Sequence, residues 1–201
     1  MTVLVSVPQP QVAVVLAAGA STRFAAGAKQ LATVDGTPLV AIAVQAAVSA
    51  GCFAEVIVVA GAVSLASVVP EGVRIIENPD WASGQASSLQ AAIEAARSAG
   101  AGAVVVGLAD QPGVTAEDWR LISQAETHLP IVVATYGGVR GNPVRLGSEI
   151  WDELPKEGDE GARVLLRRRS ELVTAVACRG DASDVDTLED LDRWNSSTPS
   201  K

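Results

Sequence analysis

The strongest predictor of the fold is the apolar run Val12-Ala13-Val14-Val15-Leu16-Ala17-Ala18, which Gly19 follows directly. An uninterrupted apolar run of this length predicts a strand that is buried on both faces, as in parallel sheets covered by helices. Further strand patterns lie at 55–60, 73–77, 103–108, 131–136 and 171–177, and helical patterns lie at 38–50, 85–98, 148–154, 159–169 and 187–194, with another helix after Thr115. This alternation predicts an α/β fold, a three-layer α/β/α sandwich around a mostly parallel sheet.

The length and composition of the chain predict one globular domain. The chain has 201 residues, of which 48% are apolar, with no internal repeat and no long linker. We therefore expect a single domain over 1–195 and a flexible polar tail over 196–201. Asp159 is expected to cap the helix at 159–169.

Charge and hydropathy exclude two classes of partner. A formal net charge of −8 argues against binding along a nucleic acid backbone. No apolar run reaches the roughly 20 residues that a membrane-spanning helix needs. Cys52 and Cys178 lack metal-ligand spacing, and residues 1–8 lack a signal-peptide pattern, so we expect a cytoplasmic protein.

The loop after the first strand has the composition of an anion site. From Gly19 onward its small residues let the backbone approach a ligand, and successive N–H groups can line a phosphate. Arg23 offers a fork of donors and Lys29 a compact charge to a triphosphate. The loop contains neither the P-loop pattern nor the dinucleotide-binding glycine pattern.

An ordered series of motifs spans nearly the whole chain. The series comprises Leu16–Arg23, Lys29-Gln30-Leu31, Gly36-Thr37-Pro38-Leu39, Asn78-Pro79 with Trp81, Gly84, Ser88 and Leu89, Leu108-Ala109-Asp110-Gln111-Pro112, Gly141-Asn142-Pro143-Val144, Gly158-Asp159 with Gly161-Ala162-Arg163, and Val185-Asp186-Thr187 with Glu189-Asp190-Leu191. In these motifs the chain resembles the MobA/MocA-like nucleotidyltransferases, and within them the molybdenum cofactor cytidylyltransferases. It departs from the family at Ala25, where the family carries glycine; a glycine follows only at Gly27.

The resemblance implies a fold and a reaction. The fold is a Rossmann-like nucleotidyltransferase (GT-A-like) fold. The reaction is Mg²⁺-dependent transfer of CMP from CTP to the phosphate of molybdopterin, with release of pyrophosphate. A molybdoenzyme that receives the product is a further partner that the resemblance suggests.

Two aspartates are candidates for holding the metal. Asp110 follows a buried strand and Asp186 precedes a helix, so by residue type alone each could equally be a turn or capping residue. The resemblance matches both to the family's metal-binding aspartates. Asp184 is the alternative to Asp186.

The remaining candidate residues are assigned through the resemblance. It implies that the backbone and side chains of Leu16, Ala17, Ala18, Gly19, Ser21, Arg23 and Lys29 bind the nucleotide, with Arg23, Lys29 and Asp110 acting in catalysis. The base is expected near Gly84, Ser87 and Ser88, and the acceptor near Asn142, Asp159 and Arg163. The Leu-Ala-Ala-Gly loop favours CTP over GTP.

Three alternatives remain open on the sequence. The first is a nucleotidyltransferase that uses GTP or a sugar phosphate. The second is a nucleotide-binding dehydrogenase, which the missing dinucleotide glycine pattern disfavours. The third is a catalytically silent relative that delivers a cofactor to another enzyme.

Overall fold

The computed structural model describes residues 9–21, 24–25 and 27–197. Within these ranges the strands are β1 (Gln11–Leu16), β2 (Thr33–Val34), β3 (Thr37–Pro38), β4 (Glu55–Ala60), β5 (Arg74–Glu77), β6 (Ala103–Leu108), β7 (Ile131–Tyr136), β8 (Val139–Gly147) and β9 (Val173–Ala177). The α-helices are α1 (Leu39–Ser49), α2 (Gln85–Ser98), α3 (Ala116–Ser123), α4 (Arg163–Arg168) and α5 (Leu188–Ser197). Short 3₁₀ turns cover Lys29–Leu31, Trp81–Ser83, Ser148–Glu153 and Ser170–Leu172.

The strands form a seven-stranded, mostly parallel sheet, which confirms the predicted fold class. Its order is β5-β4-β1-β6-β8-β7-β9, and a separate small hairpin joins β2 and β3. Strand β8 runs antiparallel to both of its neighbours, whereas the pairs of β1 with β4 and with β6 are parallel. The apolar run that begins at Val12 therefore forms an inner strand, β1, with a parallel neighbour on each side.

Side chains of β1 alternate between two cores, one on each face of the sheet. Val12, Val14 and Leu16 pack with α2, α4 and the turn around Trp151. Ala13 and Val15 pack on the other face with α1 and α3. Burial on both faces explains why the strand reads as a continuous apolar run instead of an alternating one.

Local sequence signals explain where several helices begin and end. The hydroxyl of Thr115 accepts the N–H of Asp118, whose carboxylate accepts the N–H of Thr115, so the predicted cap of α3 is a full capping box. Helix α1 begins directly after Pro38, and Gly51 follows it with a φ of 66°. A glycine with positive φ is the usual helix stop.

The structure corrects three expectations about secondary structure. The helix predicted over 159–169 begins only at Arg163, and Ala162 rather than Asp159 holds the N-cap position. Gly161, which lies inside the predicted helix, has a positive φ of 49°, so a right-handed helix cannot continue through it. Strand β8 was not predicted, and α5 extends to Ser197, beyond the expected end at Trp194.

No helix in the described ranges is long and apolar enough to cross a membrane. Of the expected tail over 196–201, residues 198–201 lie outside the described residues.

The packing of α3 against the sheet can be tested at Gly107 in β6, which lies beneath Trp119. A Cβ at this position would lie 2.5 Å from Cζ2 and 2.8 Å from Cη2 of the buried Trp119. We expect Gly107→Ala to lower the free energy of unfolding by about 1–3 kcal/mol, because a close-packed ring must move. Urea unfolding measures the change. Gly19→Ala is the matched control, since no described atom lies within 4 Å of its Cβ; equal stability of the two variants would contradict the packing described here.

Candidate active site

A cavity of about 550 Å³ opens where β1 and β6 end. It brings together most of the residues that the sequence predicted for the nucleotide and the metal: Leu16, Ala17, Ala18, Gly19, Ser21, Lys29, Gly84, Ser88, Asp110 and Asp186. Asp159 also lines it. Arg23, predicted as a catalytic and phosphate-binding residue, lies outside the described residues.

The register of β1 and β6 places two parts of the cavity wall, the loop after β1 and the segment after β6, side by side. Leu16 at the end of β1 pairs with Leu108 at the end of β6, and the N–H of Ala109 donates to the carbonyl of Leu16 at 3.1 Å. The loop after β1 and Asp110 after β6 therefore leave the sheet as neighbours. Ligands of parallel α/β sheets bind at this edge.

Gln30 holds the loop after β1 in place. Its side-chain amide is buried and donates to the carbonyl oxygens of Ala17 at 3.0 Å and of Gly19 at 2.5 Å. The hydroxyl of Ser21 donates to Oε1 of Gln30 at 3.1 Å and accepts the N–H of Lys29. A buried polar side chain whose bonds all go to one loop fixes the shape of that loop.

The loop presents backbone donors to the cavity. In the described part of the chain, no hydrogen bond is donated by the N–H groups of Gly19 and Ala20, and both residues line the cavity. Ser21 has a φ of 57°, in the left-handed region that makes successive N–H groups converge. Backbone donors in this arrangement are free to bind an anion, which stays the prediction made from the composition of the loop.

Lys29 lies between the two predicted metal-binding aspartates. Its Nζ donates to Oδ2 of Asp110 and to Oδ1 of Asp186, each at 2.7 Å. The three side chains are only 14%, 22% and 26% exposed, respectively. Burial by itself would lower the pKa of Lys29, but the charges and hydrogen bonds of the two carboxylates outweigh it and raise that pKa. The ammonium group is therefore held charged.

The surroundings of Asp186 separate it from a plain capping residue, whereas Asp110 does lie in a turn after β6. The start of α5 is capped by Thr187 and Asp190, which exchange side-chain and backbone hydrogen bonds, so Asp186 is not its capping residue. Asp184, the alternative metal ligand, does not line the cavity and accepts a bond from Gln111 at 2.8 Å.

The donor set fits a divalent ion that is shared with a ligand. Oδ1 of Asp110 is buried and has no hydrogen-bond partner among the described residues, although such oxygens are normally paired. No group of three or more His, Cys, Asp and Glu side chains in the described ranges could hold a metal alone. A site with two carboxylates suits Mg²⁺, because this ion usually keeps water and substrate phosphate as its other ligands.

The start of α2 forms the opposite wall of the cavity. Gly84 has a φ of 111°, and a Cβ there would lie 2.6 Å from the carbonyl carbon of Gly158, so no larger residue fits. The hydroxyl of Ser88 accepts a bond from the buried amide of Asn78 at 3.0 Å. Ser87, also predicted for the base, does not line the cavity; its hydroxyl lies 2.9 Å from the carbonyl oxygens of Asp80 and of Gly84, either of which can accept its one hydrogen.

A smaller cavity of about 40 Å³ adjoins the first, with which it shares Leu16, Gln85 and Leu108. Asn142 and Arg163, predicted for the acceptor, line this second cavity. They are thus adjacent to the main cavity but outside its lining.

Sequence reasoning assigned no role to two glutamines that organise these cavities. Gln30 holds the loop after β1 in place. The buried Gln111 accepts a hydrogen bond from Asn142 at 3.1 Å and donates one to Asp184 at 2.8 Å. Both stand inside motifs that the sequence analysis quoted. The signal that could have identified Gln111 is a polar residue just after the end of a buried strand; Gln30 offers no comparable local signal.

The chain belongs to the MobA-like NTP transferase family, whose domain model matches residues 13–173. It therefore carries a nucleotidyltransferase domain over most of its length, as the motifs predicted.

Individual relatives carry different names, and those with solved structures share the fold. Nicotine blue oxidoreductase of Paenarthrobacter nicotinovorans is 35% identical over 198 residues, which cover 90% of this chain and 94% of that protein. Rv0371c of Mycobacterium tuberculosis is 27% identical with a TM-score of 0.80, covering 95% and 100% of the two chains. Its complex with manganese is 28% identical with a TM-score of 0.78, covering 94% and 100%.

The role of Gln30 can be tested by substitution. We expect Gln30→Leu to lower the free energy of unfolding by about 1–3 kcal/mol, because the loop carbonyls lose a buried donor. We also expect weaker nucleotide binding, since the N–H groups of the loop are no longer held in place. Urea unfolding and calorimetric titration with CTP measure the two effects. Gln45→Leu on the exposed face of α1 is the control, and nucleotide affinity equal in both variants would contradict this role.

Proposed function

We propose that this protein transfers CMP from CTP to the phosphate of molybdopterin and releases pyrophosphate, with Mg²⁺ as the metal. The observation that carries the proposal is the arrangement of Asp110 and Asp186 around one cation position, with a buried, unpaired carboxylate oxygen beside it. The manganese complex of Rv0371c, a relative of this chain, supports a divalent ion in the family.

Each group in the cavity has a task in this reaction. The N–H groups of Gly19 and Ala20 bind phosphate oxygens of the nucleotide, and Lys29 donates to the same oxygens when it leaves the carboxylates. Asp110 and Asp186 hold the ion, which when bound neutralises charge on the phosphates during the displacement. The reaction is an in-line attack by the acceptor phosphate on the α-phosphorus, in which one P–O bond forms and the bond to pyrophosphate breaks.

The acceptor requires no general base. A phosphate monoester is ionised at neutral pH and is already a nucleophile, so catalysis depends on positioning and charge. Arg163 and Asn142 in the adjoining cavity can orient the acceptor, because a guanidinium suits a phosphate and an amide suits a polar heterocycle. The base of CTP would lie along the start of α2, at Gly84 and Ser88.

One finding favours a second candidate. The relative from Paenarthrobacter nicotinovorans is named an oxidoreductase and matches most of this chain. An oxidoreductase, such as the nucleotide-binding dehydrogenase that the sequence left open, is therefore the competing function. The same loop could bind the pyrophosphate of a dinucleotide cofactor. Hydride transfer, however, gives no role to the paired carboxylates, and for this reason we favour nucleotidyl transfer.

A direct assay separates these functions. Purified protein is incubated with Mg²⁺, molybdopterin and each of the four NTPs, and products are identified by mass spectrometry. In parallel, NADH or NADPH oxidation is followed with nicotine blue. We expect a CMP adduct and pyrophosphate with CTP only. Product with GTP alone, or nicotinamide oxidation without nucleotidyl transfer, would overturn the proposal.

The carboxylates provide the mutational test. We expect Asp110→Asn to lower turnover of CTP by about 100-fold or more, because the ion loses a charged ligand while the side-chain volume is kept. Steady-state release of pyrophosphate measures the effect, and circular dichroism verifies the fold. Asp152→Asn removes an equal charge from an exposed residue and should retain turnover. Near-normal Mg²⁺-dependent activity of Asp110→Asn would refute the assignment.

A further inference from the structure

Lys29 lies in the predicted cavity but makes contacts that the sequence did not predict. A lysine after the phosphate loop was expected to face the triphosphate, yet its Nζ is 2.7 Å from a carboxylate oxygen of Asp110 and of Asp186. We propose that this ammonium group holds the place of the divalent ion while no nucleotide is bound, so that the ion enters only together with a triphosphate. This inference rests on the proposed function and specifies how the site is loaded.

The charges of the site support mutual exclusion between Lys29 and the ion. With Lys29 in place, two negative charges face one positive charge, so part of the attraction for a second cation is already cancelled. A divalent ion bound beside the ammonium would place like charges a few ångströms apart. Because all three side chains are largely shielded from solvent, salt screens this repulsion little. The lysine therefore weakens the attraction of the two carboxylates for a free ion.

The geometry gives the lysine a second position in the same cavity. Its backbone N–H is fixed to the hydroxyl of Ser21, at the end of the loop that presents the N–H groups of Gly19 and Ala20. The side chain has a flexible four-carbon stem, so the ammonium can exchange partners without movement of the backbone. Phosphates bound at the loop attract the ammonium and leave both carboxylates to the ion that the nucleotide carries.

The exchange couples the two ligands. A nucleotide that removes Lys29 from the carboxylates raises their affinity for the ion, and by linkage the ion raises the affinity for the nucleotide by the same factor. Binding of free metal to the nucleotide-free protein is correspondingly weak. The protein would thus discriminate the metal complex of the nucleotide from either component alone.

Manganese binding in the absence of nucleotide tests the inference without any turnover. Mn²⁺ is titrated into the protein, and the unbound ion is measured by electron paramagnetic resonance. We expect Lys29→Met to bind Mn²⁺ at least 10-fold more tightly than wild type, because Met keeps the length of the stem and removes the charge. Lys156→Met, an exposed site with the same change in net charge, is expected to bind as wild type does.

Two further Mn²⁺ titrations locate the bound ion and test whether a nucleotide changes its affinity. Adding Asp110→Asn to Lys29→Met should abolish the gain, which places the ion at the carboxylates. A CTP analogue with a methylene group between the α and β phosphorus atoms should tighten Mn²⁺ binding to wild type at least 10-fold. Circular dichroism verifies the fold of each variant, and if Lys29→Met does not fold, the wild-type titrations decide alone.

Several outcomes would overturn the inference. These are equal Mn²⁺ affinity of wild type and Lys29→Met, a gain that survives Asp110→Asn, or tight binding of Mn²⁺ to wild type that the analogue does not change. Failure of the proposed function has a different signature, namely absence of nucleotidyl product with every NTP. The metal-only comparison keeps its meaning in that case, because it contains no nucleotide.

Discussion

The candidate site depends on the parallel pairing of β1 with β6, in which Leu16 lies opposite Leu108. This pairing makes the loop after β1 and Asp110 after β6 neighbours, and the carbonyl of Asp110 then accepts the N–H of Val185 at 2.8 Å. That bond brings Asp186 to the same edge from a distant part of the sequence. The loop after β1 and the two carboxylates meet there because the sheet fixes where its strands end.

Much of the sheet could be predicted because its inner strands β1, β6 and β7 are largely buried on both faces, and because helix caps and glycines mark the ends of several elements. The bounds of β4, β6, β7 and α2 were predicted residue for residue. Strand β8 was missed because Gly141, Asn142 and Pro143 interrupt it with turn-forming residues, and tertiary pairing with β6 and β7 overrides that local preference. The side-chain type of Asp159 favours a helix cap, but the positive φ of Gly161 delays the start of α4. Residue type alone does not reveal that backbone angle.

Less of the candidate site followed from residue types alone. Asp110 and Asp186 were singled out by the resemblance, because a carboxylate near a strand end or helix start also suits a turn or a cap. The contacts of Lys29 with them span 81 and 157 positions of sequence, and no local pattern reports such distances. Ser87 was grouped with Ser88, yet neighbouring residues of a helix point about 100° apart, and only Ser88 lines the cavity.

The central claim is that Asp110 and Asp186 hold a divalent ion against the phosphates of a nucleotide bound at the loop after β1. A crystal structure with Mn²⁺ and the methylene analogue of CTP tests it most directly, because manganese is located by its anomalous scattering. We expect a single strong peak that contacts both carboxylates and a phosphate oxygen, with Lys29 turned to the phosphates. A bound analogue with no peak between these carboxylates, or with Lys29 still between them, would contradict it.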